Sequence, residues 1–309
     1  MYMADFCVGL NTKILFDARQ IEFYNIENIW RASNKNKGCN MAKVIRETQD
    51  LTYLNWSHVR NSSGTAGTYL KSSSIIGGHK KYYKLSNFDL EKGIVGHECI
   101  NEIIVDRLLD ILGVEHLEYE LINADIEIDG NIYNTYLCAS YDFKERGESK
   151  SSLDDFYRLN AQPGESHYDF CIRMGWREYI ENMLVIDYLI LNRDRHGANI
   201  EVLRNARAHT VRVAPLFDHG LSLLCSCSSD DDVKKFDIMG DKQCNNFIGS
   251  RSTFENLSLL SAKGKPLKGI LEAKHKEEIF KDLDGVLSDC FIDTIWDMIY
   301  GRYKVYENL

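Results

Sequence analysis

Three side chains that carry oxygen atoms lie at short spacing in the second half of the chain: Asp194, Asn199 and Asp218. Asp194 and Asn199 are five positions apart in the segment Asn-Arg-Asp-Arg-His-Gly-Ala-Asn, and Asp218 follows in a Phe-Asp-His-Gly turn. Transfer of a phosphoryl group requires one base and oxygen ligands for Mg2+. The spacing therefore predicts Asp194 as the base and Asn199 and Asp218 as the metal ligands.

An apolar segment at positions 183–191 comes directly before this loop and is interrupted only by Asp187 and Tyr188. We expect a helix over Trp176–Leu191 that ends in the polar loop. Unpaired polar groups near a core are costly, so chemistry is the favoured reason for this concentration of charge. Asn192 and His196 are further candidates in the loop, as hydrogen-bonding braces rather than as groups that act on substrate.

Two hairpins and one helix are predicted before the loop. Asp-Gly and Gly-Gly are typical of tight turns between antiparallel strands. A helix over His97–Leu112 is expected to stop at Gly113. The predicted strands and turns are Lys13–Phe16, Gln20–Tyr24, Tyr69–Ile76, Gly77–Gly78, Lys80–Leu85, Tyr119–Ile128, Asp129–Gly130 and Asn131–Ala139.

The later part of the chain is predicted to be mostly helical. Positions 141–168 look polar and irregular, and Ser228–Asp232 looks like an acidic loop. Two lobes with a seam near Ser140 are therefore expected, in a mixed α+β fold: a strand-rich lobe over 1–140 and a helical lobe over 141–309. The remaining predicted elements are strands at Asn199–Leu203 and Val211–Val213 and helices at Lys274–Leu287 and Asp289–Tyr303.

Composition narrows the class of protein. The chain has 309 residues, of which 44% are hydrophobic and 27% charged, and its formal net charge is -9. One large or two small globular domains fit this length, and the negative charge argues against direct binding of nucleic acid. No export signal or membrane span is expected. The nine cysteines are interpreted as reduced thiols of a cytoplasmic protein, because a Cys225–Cys227 metal half-site lacks partners.

The catalytic-loop residues resemble those of the HipA-like serine/threonine kinases, a family with a distant protein-kinase-like fold. The loop of that family reads Asn-X-Asp-Arg-His-X-X-Asn, and positions 192–199 match every fixed position. The resemblance runs from about 61 to 300 and is dense at 80–113 and 185–223. Its other matching segments are Tyr82–Lys84, Asn101–Glu102 with Leu108 and Gly113, and Ala214–Asp218.

The resemblance also implies how the two lobes hold ATP. Lys84 is similar to the strand lysine that contacts the ATP phosphates, and Glu102 to the helix glutamate that pairs with it. Glu98 lies four positions earlier on the same helical face and is the alternative partner. If it has no such role, the acidic stripe formed by Glu98, Glu102 and Asp106 would be a solvated face of the helix.

A glycine-rich segment at 61–68 precedes Lys84 by about twenty residues, where a loop covering the phosphates would lie. It has neither G-x-G-x-x-G nor Walker spacing. We expect Gly64, Thr65 and Gly67 to bring backbone amides to the β-phosphate, because glycine permits close approach. Candidate autophosphorylation sites in this segment are Ser62, Ser63, Thr65 and Thr68.

Family membership would imply ATP and Mg2+ as cofactors and a protein Ser or Thr, including one of the chain's own, as acceptor. Several members are toxins paired with a DNA-binding antitoxin, so an antitoxin-like protein is a candidate partner. Only about 60 residues precede the glycine-rich segment, which is too few for the extra N-terminal subdomain of the longer members.

Three alternatives stay open on the sequence. A protein of this fold that binds nucleotide or a partner without turnover would normally lack one of the catalytic or metal positions. A kinase for a small molecule or lipid would use the same site. A hydrolase with a metal bound by Asp194, His196 and Asp218 would leave Lys84 and Glu102 unexplained.

Overall fold

The computed structural model describes residues 43–56, 69–89, 91–261 and 265–309. The strands predicted at Lys13–Phe16 and Gln20–Tyr24 lie outside these residues, as do Gly64, Thr65, Gly67 and the candidate autophosphorylation sites. The described strands are β1 Lys43–Asp50, β2 Lys71–Ile76, β3 His79–Lys84, β4 Phe88–Asp89, β5 Gly93–Ile94, β6 Glu120–Ile128, β7 Asn131–Tyr141, β8 Glu148–Ser152, β9 Asp194–Arg195, β10 Glu201–Asn205, β11 Thr210–Val213 and β12 Asn245–Asn246.

A five-stranded sheet in the order β1-β6-β7-β3-β2 forms the first part of the fold. β1 runs parallel to β6, and the other neighbours are antiparallel. Both predicted hairpins are confirmed. Their turn residues have positive φ angles, 57° and 83° at Gly77 and Gly78 and 51° and 81° at Asp129 and Gly130. This is the backbone conformation that a two-residue turn between twisted strands requires.

The helices are α1 Glu98–Leu112, α2 Leu153–Asn160, α3 His167–Arg173, α4 Arg177–Leu189, α5 Asp230–Lys235, α6 His275–Ile279 and α7 Asp289–Glu307. α1 ends as predicted at Gly113, whose φ of 68° suits a left-handed helix cap. Almost every residue of α1 is buried, and this includes Glu98, Glu102 and Asp106. The interpretation of these three residues as a solvated face is therefore wrong.

Two hydrophobic clusters lie on either side of the sheet. One cluster packs Leu51, Leu54 and Tyr83 with residues of β6 and β7. The larger cluster joins α1 to α4 and α7, through side chains such as Ile104 and Met183. α1 is thereby held between the sheet and the later helices, which is where a residue that reaches both parts must lie.

The segment predicted to be irregular at positions 141–168 contains β8, α2 and the start of α3, so that prediction is wrong. β8 pairs with β10 to build a second, three-stranded sheet. Ser152 begins α2 by accepting a hydrogen bond from the amide of Asp155. That Ser-x-x-Asp pattern is a helix start signal which the polar composition of the segment concealed.

Two further expectations need correction. The helix predicted at Lys274–Leu287 is limited to α6, because Asp282 and Gly285 adopt positive φ angles of 61° and 75° that a helix cannot contain. The acidic segment Ser228–Asp232 is a helix start, with Ser229 capping α5. The final predicted helix is confirmed and extends to Glu307. No helix in the described part of the chain has the length and apolar character that crossing a bilayer requires.

Candidate active site

Lys84, at the end of β3, is held between two carboxylates from distant parts of the chain. Its Nζ donates to Oε1 of Glu102 at 3.0 Å and to Oδ1 of Asp218. The Glu102 side chain is fully buried, whereas that of Asp218 is 28% exposed. The structure thus brings together a strand lysine, a helix glutamate and the aspartate of the Phe-Asp-X-Gly turn.

The three groups shift one another's pKa. Burial acts to lower the pKa of Lys84, but the carboxylates of Asp218 and Glu102 outweigh it and raise that pKa well above its usual value. Burial acts to raise the pKa of Asp218, but Lys84 above all holds it below its usual range. Burial raises the pKa of Glu102 in spite of Lys84. The lysine is therefore held as an ammonium and Asp218 as a carboxylate.

The backbone around Asp218 is fixed by α1. Asp218 has a φ of 61°, which is uncommon for a residue other than glycine. Oε2 of Glu102 accepts the amide of His219 at 2.8 Å, and Nδ2 of Asn101 donates to the carbonyls of Gly220 and Ser222. Asn101 and Glu102 therefore position the turn that carries Asp218.

The close approach of α1 favours a glycine in this turn. A Cβ atom on Gly220 would lie 3.1 Å from Cβ of Glu98 and 3.3 Å from its carbonyl oxygen, closer than such atoms normally pack. The Glu98 side chain itself accepts from the Tyr69 hydroxyl and the Asn87 amide, and does not contact Lys84 through a described hydrogen bond. Of the two glutamates considered from the sequence, Glu102 is the one that meets the lysine.

The loop that follows α4 is braced by a buried ion pair. The side chains of Arg195 and Asp187 are each 1% exposed and lie 2.9 Å apart. Asp187 also accepts from Nδ2 of Asn192, and Nη1 of Arg195 donates to the carbonyls of Asn199 and Phe217. Arg195 thus joins the loop to the segment that precedes Asp218.

Asp194 is held in place by its backbone and by two neighbouring side chains. Oδ1 of Asn192 accepts its amide at 3.2 Å, and Nδ2 of Asn199 donates to its carbonyl at 2.8 Å. Nδ2 of Asn245 lies 3.3 Å from Oδ1 of Asp194, and Nε2 of His196 lies 3.5 Å from Oδ2. The side chain of Asp194 is 30% exposed, so a solute can reach its carboxylate.

The donor set suits a magnesium ion. Because Nδ2 of Asn199 is directed at the Asp194 carbonyl, the amide presents its oxygen elsewhere. Asp218 contributes an ionised carboxylate, and Arg195 links the two segments that carry these oxygens. Amide and carboxylate oxygens are the ligands that Mg2+ prefers, together with phosphate oxygens and water.

Sequence reasoning missed several residues that shape the site. The sequence marks Asn101 only as part of an Asn-Glu pair, yet its amide supports the Asp218 turn. Asn245 follows the loop by some fifty positions and reaches Asp194 because β12 pairs with β9. Tyr119 places its hydroxyl 3.4 Å from the amide of Asp218. No local pattern marks Asn245 or Tyr119, since both act through pairing at long range.

Comparison with known proteins identifies similar solved structures. No family model matches the sequence, and no curated protein is similar to it at a significant level. The structure is similar to the crystal structure of the Helicobacter pylori proinflammatory kinase CtkA, with a TM-score of 0.56 and 15% sequence identity. The match covers 83% of this chain and 94% of the CtkA chain. This chain has a kinase fold.

A second similar structure is HipA in its complex with HipB and operator DNA from Shewanella oneidensis MR-1. That similarity has a TM-score of 0.44 at 12% identity and covers 92% of this chain and 71% of the HipA chain. The similarity to CtkA confirms the kinase-like fold and the mixed α+β class that the sequence predicted.

Proposed function

We propose that this chain is an ATP- and Mg2+-dependent kinase that transfers the γ-phosphoryl group to the hydroxyl of a protein Ser or Thr, including its own. One observation carries the proposal: Lys84, Glu102 and Asp218 come from three separate segments and meet in one cluster within a kinase fold. A lysine held by a glutamate beside an ionised aspartate is suited to binding phosphate oxygens and the metal ion that accompanies them.

Lys84 and Glu102 are assigned to the phosphates of ATP. Glu102 is fully buried and holds the ammonium group of Lys84 in place, and burial strengthens the attraction between an ammonium and a phosphate. Lys84 also contacts Asp218. Binding of the nucleotide would exchange this contact for phosphate oxygens and leave the Asp218 carboxylate to act as a metal ligand.

Asn199 and Asp218 would hold Mg2+, which when bound neutralises charge on the β- and γ-phosphates. The protein contributes by holding these two oxygen donors at a fixed separation. Arg195 does this by donating to the carbonyls of both Asn199 and Phe217. Gly64, Thr65 and Gly67 are proposed to cover the phosphates, on the sequence alone.

Asp194 is assigned as the base. Its carboxylate would accept the proton of the attacking hydroxyl as the new P–O bond forms and the bond from the γ-phosphorus to ADP breaks. Asn245 and His196 lie beside its two oxygens and orient them, and Asn192 fixes its backbone. Catalysis of this kind depends mainly on positioning and charge stabilisation.

The acceptor and partners rest on the resemblance of the catalytic loop. A protein Ser or Thr is the proposed acceptor, and an antitoxin-like partner and a cytoplasmic location stay predictions. In the Shewanella oneidensis complex, HipA is found together with HipB of the same toxin–antitoxin system. The two-lobe division at position 140 is likewise a proposal, with ATP between the lobes.

The test is transfer of label from γ-labelled ATP, with Mg2+, to the purified protein and to a generic protein acceptor. Wild type is compared with Asp218→Asn and with Asp231→Asn, which alters an exposed aspartate on α5. We expect labelled phosphoserine or phosphothreonine from wild type and Asp231→Asn, and a loss of about 10²-fold or more in Asp218→Asn. Absence of ATP-dependent labelling and of ATP binding in wild type would refute the kinase assignment.

A further inference from the structure

A second cluster of metal-ligand types lies away from the proposed ATP site, on the C-terminal half of α1. Asp106 and Asp110 are four residues apart and share one face of the helix. His116 follows the helix and turns back toward them. One ligand atom from each of the three residues lies within 4.8 Å of the other two.

The histidine presents the nitrogen that a metal ion would use. Nδ1 of His116 lies 2.8 Å from the carbonyl oxygen of Val114, and a carbonyl can only accept, so Nδ1 carries the proton. In the neutral ring this leaves a lone pair on Nε2. A hydrogen bond from the other ring nitrogen to a backbone carbonyl is the arrangement that orients histidines bound to metals.

That Nε2 atom is buried and has no hydrogen-bond partner. It faces Oδ1 of Asp106 at 3.7 Å and Oδ1 of Asp110 at 3.9 Å, which are ion-pair distances when the ring is protonated and are too long for hydrogen bonds. Ligands of a tetrahedral ion with bonds of about 2.1 Å lie roughly 3.4 Å apart. A contraction of a few tenths of an ångström would therefore bring Nε2 to this spacing from each carboxylate oxygen, and the two carboxylate oxygens lie within 4.8 Å of each other.

The charges around the cluster also favour a cation. Asp110 has three carboxylates in its electrostatic surroundings, those of Asp106, Glu118 and Glu278, besides the ring of His116. Arg107 is a cation next to Asp106, and its Nη1 donates to the carbonyls of Ile279 and Lys281. At Asp110 the nearby carboxylates outnumber the nearby imidazole, whereas Asp106 has the Arg107 guanidinium beside it.

Access to the cluster is compatible with an ion and its water ligands. The side chains of Asp106 and His116 are 1% and 6% exposed, whereas that of Asp110 is 30% exposed and opens to solvent. The other carboxylate oxygen of Asp106 is fixed by the amide of Tyr119 at 2.7 Å.

We propose that Asp106, Asp110 and His116 form a binding site for a divalent transition-metal ion of the Zn2+ or Mn2+ type. The imidazole ligand favours such an ion over Mg2+, and the two carboxylates accept either Zn2+ or Mn2+. The site joins α1 to the segment that pairs with Leu216, two residues before Asp218. The ion would hold the helix that carries Glu102 against the segment that leads to Asp218.

The test is titration of the metal-stripped full chain with Mn2+, followed by electron paramagnetic resonance. All proteins carry Asp218→Asn, which removes a ligand of the proposed ATP site. We expect one bound Mn2+ in this background. Adding either Asp110→Asn or His116→Gln should weaken Mn2+ binding at least about tenfold. Adding His79→Gln should leave Mn2+ binding unchanged. His79 is an exposed histidine at the start of β3 and serves as the matched control.

Thermal unfolding provides a second measurement on the same proteins. Zn2+ at about 100 times its Kd should raise the Tm of the Asp218→Asn protein by roughly 5 °C and leave that of the His116→Gln variant unchanged. Metal-free melting of each variant shows that it is folded, and Asp110→Asn is retained because its side chain is partly exposed. Absence of a bound ion, or a site that survives both Asp110→Asn and His116→Gln, would overturn the proposal.

This inference does not depend on the proposed kinase activity. If the kinase assignment fails, wild type and the Asp218→Asn protein will bind the same number of ions. Binding of that ion will still depend on His116. If the second site fails, label transfer from ATP will still be lost in Asp218→Asn.

Discussion

At the scale of single residues, Arg195 makes the described contacts that hold the loop in place. This guanidinium makes two kinds of contact: an ion pair with the buried Asp187 and hydrogen bonds to the carbonyls of Asn199 and Phe217. Both partners of the ion pair are 1% exposed, so removal of either leaves a buried charge without compensation. A lysine carries the same charge but lacks the planar fork that reaches Asp187 and the two carbonyls at the same time.

We therefore expect Arg195→Lys to lower the free energy of unfolding by about 3 kcal/mol and to reduce label transfer from ATP. Urea-induced unfolding followed by circular dichroism measures the first effect. The control is Arg158→Lys, because Arg158 is 66% exposed where it pairs with Asp154 and should cost less than about 1 kcal/mol. Equal stability of the two variants would show that the Arg195 fork is unimportant.

At the scale of elements, α1 determines where the Asp218 turn lies. Asn101 is fully buried, and its amide group donates to the carbonyls of Gly220 and Ser222. The next residue, Glu102, meets both Lys84 and the amide of His219. A small displacement of α1 would therefore move the proposed lysine and metal ligand together.

Asn101→Ala should lower stability by about 2–3 kcal/mol, because two buried carbonyls lose their donors. It should also weaken binding of Mg2+ and ATP, measured by isothermal titration calorimetry, since the Asp218 turn is no longer held. Asn134→Ala is the matched control, because Asn134 bonds Asp125 at an exposed position of the sheet. ATP binding in Asn101→Ala that equals binding in this control would argue against the positioning role.

The connection between α2 and α3 gives a prediction about pH. Arg173 donates to both carboxylate oxygens of Glu165 at 2.6 and 2.7 Å and holds the pKa of Glu165 below its usual value of 4.5. A carboxyl group whose pKa is lower in the folded than in the unfolded protein stabilises the fold at pH values above its unfolded-state pKa. This contribution is lost as the pH falls from the unfolded-state pKa through the folded-state pKa. Glu165→Gln should therefore lower the free energy of unfolding by about 1 kcal/mol at pH 7, and by less as the pH falls below about 4.5. Urea unfolding of wild type and variant at pH 7 and at a pH below about 4.5 measures this difference. A cost that does not change with pH would contradict this account.

The elements themselves were predictable where a local signal was decisive. The two hairpins followed from Gly77–Gly78 and Asp129–Gly130, and the end of α1 from Gly113, because these turns demand a particular backbone conformation. The helix predicted after Lys274 was too long, because apolar spacing continues through Asp282 and Gly285, whose positive φ angles a helix cannot contain. β8 was missed because its residues are polar and its partner β10 is about fifty positions away.

At the scale of the whole molecule, the described core crosses the proposed boundary between lobes. α1 belongs to the first 140 residues, yet Ile104 and Leu108 pack in the same cluster as Met183 and Ile295 of later helices. The contact between Lys84 and Asp218 spans 134 positions and also crosses this boundary. Local sequence patterns do not encode how such segments dock, so a resemblance to known proteins was needed to anticipate that the two residues lie in one site.

We expect the chain to unfold in one cooperative thermal transition, because separating the proposed lobes would expose the apolar residues of α1. Differential scanning calorimetry should give a calorimetric enthalpy equal to the van't Hoff enthalpy. Two resolved transitions would show that residues before and after position 140 form independent units.

The most direct test of the central claim separates binding of ATP from transfer of its γ-phosphoryl group in Asp194→Asn. Asp194 lies in the loop beside Asn199 and contacts neither Lys84 nor Glu102 through a described hydrogen bond, so Mg2+ and ATP should bind with about the wild-type Kd. Loss of the base should reduce the single-turnover rate of label transfer by about 10²–10⁴-fold. Transfer at the wild-type rate in this variant would contradict the assignment of Asp194 and the account of the site built around it.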